Sequence, residues 1–159
     1  MSRFLSNFVM NVDRKGRVSV PAPFRAVLAK VGATELYTLK NLERPVVDAG
    51  GAAWLDELER PLDALDPMGE EYERLSTFIH GDGAFVKLDD TGRLVLPDAV
   101  REHTGIADQV AFVGRRTFFQ MWEPGRFAAW RQEARAAVAA DRRTADGPNG
   151  GTNNGAVPA

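Results

Sequence analysis

The pattern of ten consecutive residues of this chain returns later in it. Val12-Asp13-Arg14-Lys15-Gly16-Arg17-Val18-Ser19-Val20-Pro21 is echoed 76 residues on by Leu88-Asp89-Asp90-Thr91-Gly92-Arg93-Leu94-Val95-Leu96-Pro97. Both copies read apolar-Asp-x-x-Gly-Arg-apolar-x-apolar-Pro, and each carries an Arg four residues past the Pro, Arg25 and Arg101. The same offset relates Ala52-Ala53-Trp54 to Ala128-Ala129-Trp130. Two matched segments at one offset imply a duplicated unit of about half the chain. A unit that small does not close its own core and is expected to pack on its twin.

A chain of 159 residues accommodates one compact body, or two small lobes that share a core. The absence of Cys rules out disulfides and thiolate metal sites, and makes a reducing cytosol the expected compartment. No apolar run approaches the length of a membrane span. Asn7, Asn11 and Asp13 interrupt the N-terminal apolar stretch, so no signal peptide is read there.

The formal net charge of -2 does not by itself point to a nucleic-acid partner, but the charge is unevenly spread. Residues 1–30 hold Arg3, Arg14, Lys15, Arg17, Arg25 and Lys30 against Asp13 alone, a local net of +5. Residues 55–75 hold Asp56, Glu57, Glu59, Asp63, Asp66, Glu70, Glu71 and Glu73 against Arg60 and Arg74, a local net of -6. Such a chain presents a basic face while remaining acidic overall.

Local patterns predict the elements. Residues 8–12 and 18–20 are β-rich and flank an Asp-x-x-Gly turn, in which Gly16 supplies φ > 0 and Asp13 bonds backbone N–H groups. The same hairpin is predicted from residues 85–88 and 94–96. A short helix follows each Pro, Ala22 to Lys30 and Asp98 to His103, with Gly32 and Gly105 placed as C-terminal caps. Strand-like runs come next, residues 35–39 and 110–113, and residues 118–122 supply a further strand. Each half then ends in a helix: Trp54, Leu55, Leu58 and Leu62, broken at Pro61, and Phe127, Trp130, Ala134 and Val138. Between the halves, Met68, Tyr72, Leu75 and Ile79 form one stripe of a third helix. The expected layout is a first repeat at 4–59, a helical linker at 60–79 and a second repeat with its helix at 80–140. A disordered tail is expected at 144–159, where Gly, Asn, Pro and Ala offer too little apolar surface to offset ordering entropy.

Little in the chain supports catalysis. His80 and His103 stand in no metal or triad spacing and read as exposed or capping residues. The linker carboxylates lie at solvent-face spacing, and Gly50-Gly51 lacks the Lys and Ser/Thr of a phosphate loop. No cofactor, metal or enzymatic activity is expected. The Asp-x-x-Gly-Arg turns remain. Asp13, Gly16, Asp89 and Gly92 are explained as turn formers, but a turn does not need an Arg at the start of the following strand. Arg17 and Arg93, each held by a neighbouring carboxylate, are pre-oriented donor forks suited to phosphate or guanine edges. Arg14 and Lys15 make the first turn basic, whereas Asp90 and Thr91 replace them in the second. Arg17 is therefore the first candidate contact for a nucleic acid, with Arg14 and Lys15, then Arg93 as the weaker equivalent and Arg3 as an outlying phosphate contact.

The two Asp-x-x-Gly-Arg…Pro…Arg segments, Phe4, Arg74-Leu75-x-x-Phe78-x-x-Gly81 and Met121-Trp122-Glu123-Pro124 resemble the MraZ family over roughly residues 4–135. One departure is Ser6, where members often have Gly. The resemblance implies a mainly β fold with flanking helices: tandem swapped-hairpin units of the AbrB and MazE type, forming a double-split β-barrel. It implies a cytoplasmic, nucleoid-associated transcriptional regulator and repressor. Its partner would be double-stranded DNA, at short direct repeats ahead of the division and cell-wall gene cluster that includes its own operon, and it would assemble as a ring-shaped homo-oligomer. An antitoxin-like protein that neutralises a protein partner is the alternative. Against it, the tail lacks the apolar anchors that wrap a toxin. A small β-barrel enzyme is the third reading, and no nucleophile or acid/base pair supports it.

Overall fold

The computed structural model describes residues 3–145. Among the described residues, eight strands are interspersed with five α-helices: β1 (Asn7–Asn11), β2 (Arg17–Ser19), α1 (Ala22–Lys30), β3 (Glu35–Lys40), β4 (Val47–Gly50), α2 (Ala52–Glu59), α3 (Glu70–Ser76), β5 (Ala84–Lys87), β6 (Arg93–Val95), α4 (Asp98–Thr104), β7 (Gln109–Gly114), β8 (Phe119–Trp122) and α5 (Pro124–Ala145). A 3₁₀ turn, Arg60–Ala64, follows α2, and a π turn, Thr77–Gly81, follows α3.

The strands form one six-stranded antiparallel sheet, ordered β1-β7-β8-β4-β3-β5, and a separate two-stranded ribbon of β2 and β6. More described residues are helical than extended, so the fold is mixed α and β rather than the expected mainly β. Ladder hydrogen bonds do not close the strands into a barrel among the described residues. Instead β1 and β5 are the two sheet edges, and each runs through its Asp turn into one strand of the ribbon.

The duplication is visible as an exchange of partners. β1 of the first copy pairs with β7 of the second, and β5 of the second pairs with β3 of the first. Val18 lies opposite Leu94 at the centre of the ribbon, so an approximate twofold axis passes there. The registers also correct the constant offset. Asn11 pairs with Gln109 and Lys87 with Glu35, which makes Glu35 and Gln109 equivalents only 74 residues apart. In the next hairpin Tyr37 pairs with Gly50 and Ala111 with Trp122, a separation of 72 for the last strand. Two shortenings account for this. α4 has seven residues where α1 has nine, and residues 115–118 replace the longer loop 41–46. Trp54 and Trp130 are therefore not equivalent: Trp54 is the third residue of its helix and Trp130 the seventh.

Both copies supply the main core. Val18, Val20 and Phe24 join Leu94, Leu96 and Val100, with Phe4 and Phe119 packed on Phe24 and Phe112 on Phe119. A second cluster, Tyr37, Leu39, Trp54 and Ile79, gathers Leu55, Leu58, Leu75, Phe78 and Phe118. Met68 does not join that stripe. It precedes α3 and is 93% exposed. β4 was not foreseen from sequence. It is held between β3 and β8, and Trp54 lies directly over Gly50.

Ser6 is left-handed, with φ 76°, and its carbonyl accepts the N–H of Gly114 at 2.8 Å. That geometry gives the physical reason a Gly would suit this position. Residues 125–145, all within α5, belong to a second compact unit. α5 continues to Ala145, so Thr144 and Ala145, expected in the tail, are helical. The rest of the expected tail lies outside the described residues.

Candidate nucleic-acid interface

Each turn is built by one carboxylate. Asp13 Oδ1 accepts the N–H groups of Lys15 and Arg17, both at 2.9 Å, while Oδ2 accepts Arg17 Nε at 2.7 Å. Asp89 Oδ1 accepts the N–H groups of Thr91 and Arg93 at 2.9 Å, and Oδ2 accepts Arg93 Nε at 2.9 Å. Thr91 Oγ1 adds a further bond to Asp89. The backbone closes identically in both: Asp13 N to Arg17 O and Asp89 N to Arg93 O at 2.8 Å, Gly16 N to Asp13 O and Gly92 N to Asp89 O at 3.0 Å. Gly16 and Gly92 take φ of 78° and 79°. The backbone N–H of Arg17 is the largest cause holding the Asp13 carboxyl below the usual carboxylate range. For Asp89 the corresponding donor is Arg93 N–H, and the shift is larger.

The two ion pairs are roughly one-third exposed on each side, and exposed pairs add little to stability. Their effect is orientation. With Nε committed to the turn carboxylate, the two Nη groups of Arg17 and of Arg93 have no hydrogen-bond partner among the described residues. Each arginine therefore presents a fixed planar fork.

Strand alternation decides where the forks point. Val18 and Leu94 are 1% and 2% exposed and face the core, so Arg17, Ser19, Arg93 and Val95 share the outward face of the ribbon. Arg17 lies opposite Val95, and Arg93 opposite Ser19. The two arginines are thus offset by two residues along the ribbon, ~7 Å, or about two base-pair steps of B-DNA. Arg14 and Lys15 are exposed at the tip of the first turn. Arg3 is not brought to this face. It precedes Phe4, which bridges Arg116 beyond the end of β1 remote from the turn.

Sequence reasoning gave Arg25 and Arg101 no role beyond the repeat. The structure crosses them over. Arg101 Nη2 stands 3.5 Å from where a Cβ on Gly16 would lie, and Arg101 Nη1 donates to Ala107 O at 2.9 Å. Arg25 packs its aliphatic stem on Gly92 and donates from Nε to Val20 O at 2.9 Å. The carbonyls cross as well: Gly92 O accepts Val20 N–H at 3.0 Å and Gly16 O accepts Leu96 N–H at 2.9 Å. Each turn is therefore braced by the other repeat. The histidines fall elsewhere. His80 bridges Ser76 and Glu59 at 2.8 and 2.7 Å, and His103 Nε2 is buried with no hydrogen-bond partner among the described residues. Among those residues no cluster of His, Asp or Glu is arranged to hold a metal ion.

Fold and site together define a duplicated hairpin protein that displays a cross-repeat β-ribbon bearing paired, carboxylate-oriented arginines. The sequence pattern of the family described as "MraZ protein, putative antitoxin-like" matches residues 80–147. The "Transcriptional regulator MraZ" of Rhizobium johnstonii is 47% identical over 135 residues, 85% of this chain and 93% of that one. The protein of the same name from Azorhizobium caulinodans is 41% identical over 157 residues, 99% of each chain. The chain belongs to the MraZ family.

Proposed function

We propose that the protein is a sequence-specific DNA-binding transcriptional regulator that reads duplex DNA with the outward face of its β2–β6 ribbon. The observation that carries this reading is the pair of forks, Arg17 and Arg93, clamped by Asp13 and Asp89 on one exposed face. A two-stranded ribbon fits the major groove, where an arginine fork matches guanine O6 and N7. Arg14 and Lys15 flank the first fork as phosphate contacts, so the first turn leads and Arg93 is secondary. The relatives' printed name supports a regulator and says nothing of its targets. We further read the ribbon and sheet as the two layers of a split barrel of tandem AbrB-like swapped hairpins. In that reading the repeats span 4–59 and 80–140, with 60–79 as linker.

As the resemblance implies, we assign it repression at short direct repeats ahead of the division and cell-wall cluster, its own operon included, in the cytoplasm and on the nucleoid. Among the described residues no helix is long and apolar enough to cross a membrane. Ring assembly has support in the charge segregation: the acidic 55–75 segment of one copy is complementary to the basic N-terminal segment of another. A ring would set several ribbons side by side, and linked weak contacts multiply through effective concentration. Light scattering at micromolar concentration is expected to give a species well above a dimer; a monomer defeats the ring.

The test of the main reading is a gel shift with the chain's own upstream DNA. Arg17→Ala is expected to abolish specific binding with the assembly intact, and Arg93→Ala to be milder. Lys15→Ala should weaken all sequences alike and lower the salt slope by about one. Specific binding by Arg17→Ala at wild-type strength refutes the assignment. Co-purification of a stoichiometric small protein that releases the DNA would favour the antitoxin-like alternative instead.

A further inference from the structure

The outward face of the ribbon carries four residues, and the internal twofold relates them in two pairs. Arg17 and Arg93 are equivalent and identical in kind. Ser19 and Val95 are equivalent in place and different in chemistry: a hydroxyl on one side, an isopropyl group on the other. Val95 is 56% exposed, beside Arg17 across the strand, while its neighbours Leu94 and Leu96 do the packing at 2% and 4% exposure.

This asymmetry bears on orientation. A ribbon with true twofold symmetry docks on DNA equally well in either direction. The cations of the first turn do not remove that degeneracy on their own, because phosphate contacts carry no sequence information. Base edges do carry it, and both halves present the same arginine fork to them. The remaining difference on the face is Ser19 against Val95. An apolar side chain in the major groove is matched by the 5-methyl group of thymine, whereas a serine hydroxyl accommodates donors and acceptors alike.

We propose that Val95 is a specificity-determining residue that contacts a thymine methyl next to the base read by Arg17, and that the Ser19/Val95 difference makes the ribbon read its site in one direction. This rests on the ribbon-reading function proposed above. Strand propensity alone also favours a valine at an exposed strand position, so the decisive variant keeps the β-branch. Val95→Thr preserves shape and one methyl while placing a hydroxyl on the face.

The full-length protein, Val95→Thr and Ser19→Val are each equilibrated with a pool of duplexes randomised at the centre, and the bound fraction is sequenced. Circular dichroism melts of the three proteins verify folding. The wild type is expected to enrich a non-palindromic motif with thymine beside guanine. Val95→Thr should keep the guanine and lose about fourfold in preference for the thymine, the worth of one methyl group removed from water. Ser19→Val, which equalises the outward ribbon residues of the two halves, should enrich sites readable in both directions. Replacing that thymine by deoxyuridine should weaken the wild type about fourfold and Val95→Thr, which keeps one methyl, by less. If the wild type enriches a motif and both variants enrich the same one to the same degree, the assignment of Val95 is overturned while ribbon reading stands. If the wild type enriches no motif, both fall.

Discussion

The two turn glycines have the same backbone and different neighbours, which makes them a controlled pair. Alanine at either site forces an L residue to φ near 78°, a strain of ~1–2 kcal/mol. At Gly16 the new methyl stands 3.5 Å from Arg101 Nη2, an ordinary contact with the movable end of a side chain. At Gly92 it collides with Cδ of Arg25, in the middle of a stem whose Nε is tied to Val20 O. Arg25 must move, and a hydrogen bond from a charged donor is worth ~1.5–3 kcal/mol. Gly16→Ala should therefore cost only the strain, ~5 °C in Tm for a chain of this size, and Gly92→Ala ~3–5 kcal/mol, roughly 12 °C. Thermal melts at equal protein concentration read the difference, since assembly makes Tm concentration-dependent. In an Arg25→Ala background the cost of Gly92→Ala should fall to that of Gly16→Ala. Equal shifts for the two single variants, or no relief in the double variant, would show that Arg25 does not brace the second turn.

Acid should loosen the turns. The folded pKa values of Asp13 and Asp89 lie below their unfolded values, so their stabilisation is present above the unfolded carboxylate pKa, near 4, and is lost as pH falls through the folded values. Melts from pH 6 to pH 2 should show a steeper loss for the wild type than for Asp89→Asn, and an unchanged slope in that variant would contradict the geometry. Ser6→Gly should raise Tm by a few degrees, because relief of left-handed strain, ~1–2 kcal/mol, exceeds the ~0.4–1 kcal/mol of added unfolded-state entropy. A lower Tm for that variant would mean that the Ser6 backbone is not strained.

What was legible in the chain was local. The Asp-x-x-Gly-Arg turns follow from one carboxylate, one glycine and the backbone donors within four residues, and the flanking strands and post-proline helices follow from short patterns. What was not legible depends on distant partners. Val47-Asp48-Ala49-Gly50 has little intrinsic strand preference and becomes β4 because β3 and β8 lie on either side of it. The constant offset misled beyond the first helix, since a shorter α4 and a shorter second loop shift every later equivalence. The crossing of Arg25 to Gly92 and Arg101 to Gly16 joins residues of different repeats, which a motif scan within each repeat does not reveal. The forks of Arg17 and Arg93 were foreseen as chemistry. Their shared face, and the place of Val95 on it, needed the ribbon register.

The central claim is that this face enters the major groove with Arg17 at a guanine. Methylation interference on the bound upstream DNA measures it most directly. Dimethyl sulfate marks guanine N7 in the major groove and adenine N3 in the minor groove, so the two docking modes give different patterns. The account predicts that methylation at one or two guanine N7 positions blocks binding by the wild type. It also predicts that Arg17→Ala, at concentrations high enough to bind nonspecifically, loses that interference. Interference confined to adenine N3, or a guanine pattern unchanged in Arg17→Ala, would contradict it.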